Sequence, residues 1–215
     1  MKRSFFEQGY YHIYNRGALK QVLFIDNKDY CRFILLILGL QGDFSFRNIS
    51  RIIKNGDVSE VIKYLDEHIK EIQENKKVEI LNFCLMPNHF HLTIHEIQEG
   101  GVSSYMHKLL NAYSHYFNQK YNKTGHVFQG PYKCLHVLGD SQNYYLSAYI
   151  HSNPREIYEW KSDFLNYPWS SYQDYAQSNR WGQLLENQFI LEAHPKKDDY
   201  KKFVEISGAK LDKLV

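Results

Sequence analysis

The sequence predicts an α+β fold, a ferredoxin-like antiparallel sheet with packed helices, interrupted by a helical insertion and followed by a short helical C-terminal extension. Three observations carry that expectation. Strand-length and helix-length apolar stretches follow one another in the order β-α-(insertion)-β-β-α-β-α. One of them, HFHLTIH at 89–95, alternates strictly between polar and apolar side chains. Hydrophobic residues make up 43% of the 215, enough to close one substantial core but not two.

Residues 10–14 (YYHIY) read as a strand ended by the Asn15-Arg16-Gly17 turn signal. A helix capped by Asn27 or Asp29 then runs to Gly39, with Phe33, Ile34, Ile37 and Leu38 on its apolar side. Residues 41–77 are polar and charged, with helical periodicity over 58–72, and read as an excursion from the sheet. The near-continuous apolar run at 78–85 is a buried strand, interrupted by Met86-Pro87-Asn88. Successive strand side chains point to opposite faces. In the strand at 89–95, His89, His91, Thr93 and His95 therefore share one face, and Phe90, Leu92 and Ile94 the other. After Gly100-Gly101 an amphipathic helix runs to about Tyr121, followed by a strand over 126–138 broken at Gly130-Pro131. Asp140 and Ser141 are good caps for a helix starting near Gln142. It must stop near Asn153, because Pro154 disfavours helical backbone in the residue before it. Past Tyr175 the chain turns polar, and 188–204 suggests one or two short helices. The domain is drawn at 1–175, with the insertion at about 41–77, and the extension at 176–215.

The longest apolar run, 33–38, is far too short to span a bilayer, so no membrane partner is expected. The first residues lack the apolar stretch of a signal peptide. Cys31, Cys84 and Cys134 are odd in number and widely spaced, which reads as reduced packing residues in a cytoplasmic protein. The net charge of +2 is too small to announce a nucleic-acid binder, but its distribution is informative. Residues 101–139 contain no Asp or Glu, while Lys108, Lys120, Lys123 and Lys133 lie among seven Tyr and Phe side chains. Lysines interleaved with aromatics can track a phosphate backbone and stack unpaired bases. The same aromatics would equally serve the buried side of a helix and a strand.

His89 and His91 present two imidazoles on one side of a strand, a separation suited to one metal ion. Histidine-triad hydrolases need a third histidine where Thr93 stands, and two-histidine phosphoesterases need a second His-x-Thr/Ser motif that the chain lacks. In the helix before Pro154, Tyr145, Tyr149 and Asn153 are spaced by four and share a face. Tyr149 offers a phenol nucleophile and Asn153 an amide oxygen to a metal. Read singly, Tyr149 is one of eighteen tyrosines and Asn153 a helix end.

The segments HIYNRG, LFIDNKDYCRFI, LMPNHFHL, YMHKLLNAYSHYFN, GHVFQGPYK, YIHSNP and PWSSYQDY, spread over about 10–175, carry a specific resemblance. In these motifs and their order the chain resembles the IS200-like tyrosine transposases, most closely their REP-associated branch. AHPKKDDYKKFVE weakly resembles the tail of longer members. The resemblance implies an enzyme that cleaves and rejoins single-stranded or hairpin DNA through a 5′-phosphotyrosine intermediate, with a divalent ion, Mg²⁺ or Mn²⁺. It implies Tyr149 as nucleophile and His89, His91 and Asn153 as metal ligands. Arg16, Lys108, Lys120, Lys123 and Lys133 are the candidate DNA contacts. His95 and His151 are candidate proton acceptors. Pro131 and Arg155-Glu156 depart from the family pattern, and 41–77 is expected to lie outside it. The sequence leaves monomer and homodimer equally open. Two alternatives stand beside this reading: a DNA-hairpin binder that has lost catalysis, and a metal-dependent phosphoesterase of small molecules.

Overall fold

In a computed structural model, which describes residues 8–194 and 196–207, the apolar stretches form a four-stranded sheet. Its strands are β1 (Tyr10–Arg16), β2 (Val78–Met86), β3 (His89–Glu96) and β4 (Lys133–Val137). They lie in the order β2-β3-β1-β4 with every neighbouring pair antiparallel. This is the ferredoxin-like arrangement that the sequence predicts. The register sets Tyr14 opposite His91 and Arg16 opposite His89, so Tyr10, His12, Tyr14 and Arg16 share the histidine face of the sheet.

The other face carries Tyr11, Ile13, Phe90, Leu92 and Ile94, all buried. It is covered by α1 (Asn27–Gly39) and α5 (Gly101–Lys120). Phe33 of α1 lies 5.0 Å from Phe90 and 4.8 Å from Tyr113 of α5, ring centre to ring centre. Residues 33–38 of α1 are buried all round, not only on the side expected. The insertion explains this: its helices α2 (Ile49–Ile52), α3 (Val58–Glu67) and α4 (Ile69–Gln73) include one, α3, that packs against α1.

Three local expectations are corrected. The cap of α1 is Asp26, not Asn27 or Asp29; Asp29 is the reciprocating residue of a capping box. The strand expected over 126–138 shrinks to Lys133–Val137, because Gly130 adopts a left-handed φ of 67° and Pro131 has no N–H for a ladder. Phe128 keeps only an isolated bridge to Gly17. Neither Asp140 nor Ser141 caps α6 (Asp140–Ser152); Gly139 precedes it with no side-chain cap bond, and Gln142 folds back onto the Leu138 N–H.

The polar region past Tyr175 still contributes to packing. After α7 (Tyr172–Ala176) and α8 (Gln188–Glu192), α9 (Lys197–Ile206) lies against α6 and α7. Tyr200 of α9 is fully buried, its hydroxyl 2.6 Å from His151 Nδ1 and 3.1 Å from Ser147 Oγ. Among the described residues no helix is long and apolar enough to cross a membrane. Cys31, Cys84 and Cys134 form no disulfide.

Candidate active site

The end of β1, the start of β3 and the end of α6 converge on a pocket of about 490 Å³ on the histidine face of the sheet. Antiparallel pairing brings Arg16 beside His89, and α6 delivers Tyr149 and Asn153 above them. The rings of His89 and His91 lie 5.2 Å apart and nearly perpendicular. His89 Nδ1 donates to Asn88 Oδ1 at 2.8 Å. His91, 6% exposed, holds its Nδ1 3.0 Å from His12 Nε2. The Tyr149 ring meets His91 edge-on at 5.5 Å and His12 at 6.2 Å. Asn153 Nδ2 donates to the Tyr149 carbonyl at 2.8 Å, and its side chain also engages the His89 ring and the Tyr149 phenol.

Burial sets the protonation states. It pushes His12 down to about 4, and His89 down to about 4 with help from the Arg16 charge. His91 is held well below the usual histidine range by burial first, then by His12, His89 and Arg16. All three imidazoles are therefore neutral at pH 7, the form in which imidazole binds metals. The Tyr149 phenol is raised above its ordinary value by burial and by Glu156, with Asn153 opposing.

These shifts make the fold sensitive to acid. A histidine in an unfolded chain protonates near pH ~6.5. His151, fully buried, is pushed down to about 3, and with the three site histidines it must stay neutral in the fold. The folded pKa is depressed, so the unfolded state binds more protons as pH falls. The stability is complete above pH ~6.5 and lost on the way down, at up to about 1.4 kcal/mol per pH unit for His151 alone. The urea midpoint is expected to fall steadily from pH 7 to pH 5; a flat midpoint would show that these rings protonate within the fold.

Of the expected DNA contacts, Arg16 and Lys133 lie at the pocket, both exposed. Lys108, Lys120 and Lys123 do not join them. Lys108 and Lys120 belong to α5 and Lys123 follows it, on the layer across the sheet. Lys120 is also engaged elsewhere, 2.7 Å from both Asp26 and the fully buried Asp29. Asp29 further accepts from the Tyr116 and Tyr121 hydroxyls at 2.8 and 2.6 Å. Lys123 bonds Gln21 Oε1 at 3.2 Å. The lysine stretch read as one surface is thus divided between two layers.

The alternative tyrosines and bases also separate from the pocket. Tyr113 is buried on the α5 layer with its hydroxyl on the Leu23 carbonyl, and Tyr145 leans on Phe203 of α9. His151 spans Tyr200 and Ser171, and His95 pairs with Glu79 at 3.0 Å. Sequence reasoning missed His12 as a neighbour of the pair. Its one signal is that it lies two residues before Tyr14 and four before Arg16, on the same strand face, which becomes informative only once β1 and β3 are paired. Glu156, noticed only as a departure, is the one carboxylate among the described residues lining the pocket.

Comparison with known proteins bears on this arrangement. A family model described as "Transposase IS200 like" matches residues 51–153. The chain is similar to the IS200-like transposases. The match takes in His89, His91, Tyr149 and Asn153 and ends on the last of them. It also begins inside the insertion, so part of 41–77 lies within the IS200-like span rather than outside it. A solved structure of a REP-associated tyrosine transposase bound to a REP hairpin aligns with a TM-score of 0.52, at 12% identity, over 81% of this chain and 83% of that one. That is likeness of fold. No curated protein matches.

Proposed function

We propose that this chain is a transposase of the IS200-like type that cleaves and rejoins single-stranded DNA through a 5′-phosphotyrosine bond at Tyr149. The observation that carries the reading is one pocket gathering Tyr149, His89, His91 and Asn153 from two distant chain segments. The hairpin bound by the structurally similar transposase supports hairpin-bearing DNA as the substrate.

The Tyr149 phenolic oxygen attacks a backbone phosphorus, forming an O–P bond as the bond to the 3′ oxygen breaks. The freed strand end leaves as a 3′-hydroxyl, taking up a proton. Tyr149 must lose one, and Glu156 is the pocket's available carboxylate. Attack by a 3′-hydroxyl on the phosphotyrosine reverses the step, and because the covalent link keeps the bond energy, no nucleotide hydrolysis is required. Arg16 and Lys133 at the pocket hold flanking phosphates by charge.

Among the described residues no group of three His, Cys, Asp or Glu could hold a metal, and beside His89 and His91 the same pocket offers the Asn153 amide oxygen as a further donor. His89, His91 and Asn153 fit a divalent ion such as Mg²⁺ or Mn²⁺. The bond from His89 Nδ1 to Asn88 leaves Nε2 with its lone pair, and His91 does the same when its Nδ1 donates to His12. When bound, such an ion offsets phosphate charge and orients the phosphorus for attack.

The test is covalent capture. Wild-type protein incubated with single-stranded hairpin DNA and Mg²⁺ or Mn²⁺ is expected to retain a 3′-end label through denaturing electrophoresis, and to release a 5′-end label. Chelator should abolish the band. Absence of an adduct with either label, across substrates that the protein binds, would overturn the reading.

A further inference from the structure

Beyond β1 the chain makes a tight turn whose tip is exposed and apolar. Leu19 is 99% exposed, and Leu19 and Lys20 have φ of 53° and 63°, left-handed values that non-glycine residues rarely adopt in succession. The turn is held in place from several sides. Gly17 N donates to the Asn88 carbonyl at 2.8 Å, and Ala18 N and Gln21 Nε2 donate to the Val127 carbonyl, each at 2.9 Å. Gly17 itself leaves no room, since a Cβ there would lie 2.2 Å from the Gln21 carbonyl oxygen. Strain of this kind persists where the surroundings fix it, and it clusters at functional segments. Nothing in the packing calls for a leucine at the tip.

Beside the turn runs an open groove of about 600 Å³, lined by Leu19, Lys20, His126, Phe128 and Gln129 among others. Gln129 also lines the Tyr149 pocket, so the two concavities adjoin. Among the described residues the groove is lined only from 18–20 and 126–130. These belong to the two stretches 8–25 and 101–139, neither of which contains an Asp or Glu. An apolar tip on an acid-free edge with Lys20 and Arg16 beside it complements a polyanion that also offers flat apolar faces. Nucleic acid has that chemistry, because a base pair at the end of a stem exposes its stacking face to water. Apolar side chains laid against base steps are an established mode of DNA contact.

We infer that the turn at 17–21 is a junction reader, in which Leu19 packs on the last base pair of a DNA stem. Lys20 meets the phosphate of that pair, and the groove takes the unpaired strand onward to Tyr149. This rests on the proposed DNA chemistry, but it assigns a task that the chemistry does not need. The turn would select where the stem ends and so fix the distance from stem to cleaved phosphate.

The experiment compares wild type with Leu19→Asn, since asparagine adopts the left-handed backbone readily and the variant keeps the turn. Binding is measured to three DNAs: a hairpin with a single-stranded tail, the same tail alone, and a closed duplex with no stem end. Wild type should prefer the tailed hairpin over the tail alone. Leu19→Asn should lose roughly tenfold for the tailed hairpin, as expected for exposing one buried leucine side chain, and much less for the tail alone, which only passes along the groove that Leu19 borders. The position of cleavage relative to the stem should also spread over neighbouring phosphates. Equal affinities of the two proteins for the tailed hairpin, with an unchanged cleavage position, would overturn the assignment while leaving the proposed DNA cleavage standing. A variant altered only in self-association would give the leucine to a protein contact and overturn it as well. Wild type that binds none of the three DNAs would instead sink the underlying function.

Discussion

Tyr149→Phe is expected to abolish the covalent DNA adduct while leaving the fold and DNA binding intact. The substitution removes one hydroxyl. The ring keeps its edge contacts with His91 and His12, and the bond from Asn153 to the Tyr149 carbonyl is a backbone contact that phenylalanine preserves. What is lost is the oxygen that would bond to phosphorus, and among the described residues Tyr14 is the one other tyrosine lining the pocket. Tyr145 faces Phe203, while Tyr113 and Tyr116 lie across the sheet with their hydroxyls on the Leu23 carbonyl and Asp29. Tyr14 is the closest rival, since it lines the same pocket and stacks 5.6 Å from His91. The discriminating measurement is therefore the adduct assay on Tyr149→Phe and Tyr14→Phe together. An adduct that survives in the first and vanishes in the second would move the nucleophile to β1.

How far the sequence revealed this site depended on the range of the signals. The alternation at 89–95 is local, and it placed His89 and His91 on one face because a strand's side chains alternate whatever packs around it. The spacing of Tyr149 and Asn153 is local too, since Pro154 fixes where that helix can end. His12 was not legible, because its value comes from a partner 79 residues away and no period in β1 announces that pairing. The ion pairs of Lys120 were not legible for the same reason. A lysine in an acid-free stretch looks free until α1 brings Asp26 and Asp29 against it from more than ninety residues upstream. The polar stretch past Tyr175 hid Tyr200, one aromatic among charged residues whose burial depends on α6 and α7. Local periodicity thus reached the strands, the helices and the proposed chemistry-bearing pair. The side chains that hold that pair come from long-range contacts.

Metal binding should separate ligand from support in a way that activity cannot. Mn²⁺ titrated against wild type and followed by its paramagnetic resonance signal is expected to reveal a site that His89→Ala eliminates. His89 is the cleaner ligand to remove, because it is partly exposed, whereas truncating His91 at 6% exposure would also leave a cavity. His12 is a positioning residue in this scheme. Its Nε2 lies 3.0 Å from His91 Nδ1, and as an acceptor it keeps the His91 proton on that nitrogen and the lone pair on Nε2. His12→Phe retains a ring of similar size but no acceptor, so Mn²⁺ affinity should fall roughly 10- to 100-fold, the usual cost of losing such an outer partner. His12→Gln restores an acceptor oxygen and should recover part of that loss. A purely structural role predicts otherwise: both variants would lower the thermal midpoint and leave Mn²⁺ affinity untouched. Wild-type affinity in His89→Ala would be more damaging still, since it would leave the neutral, oriented imidazole pair without a metal to hold.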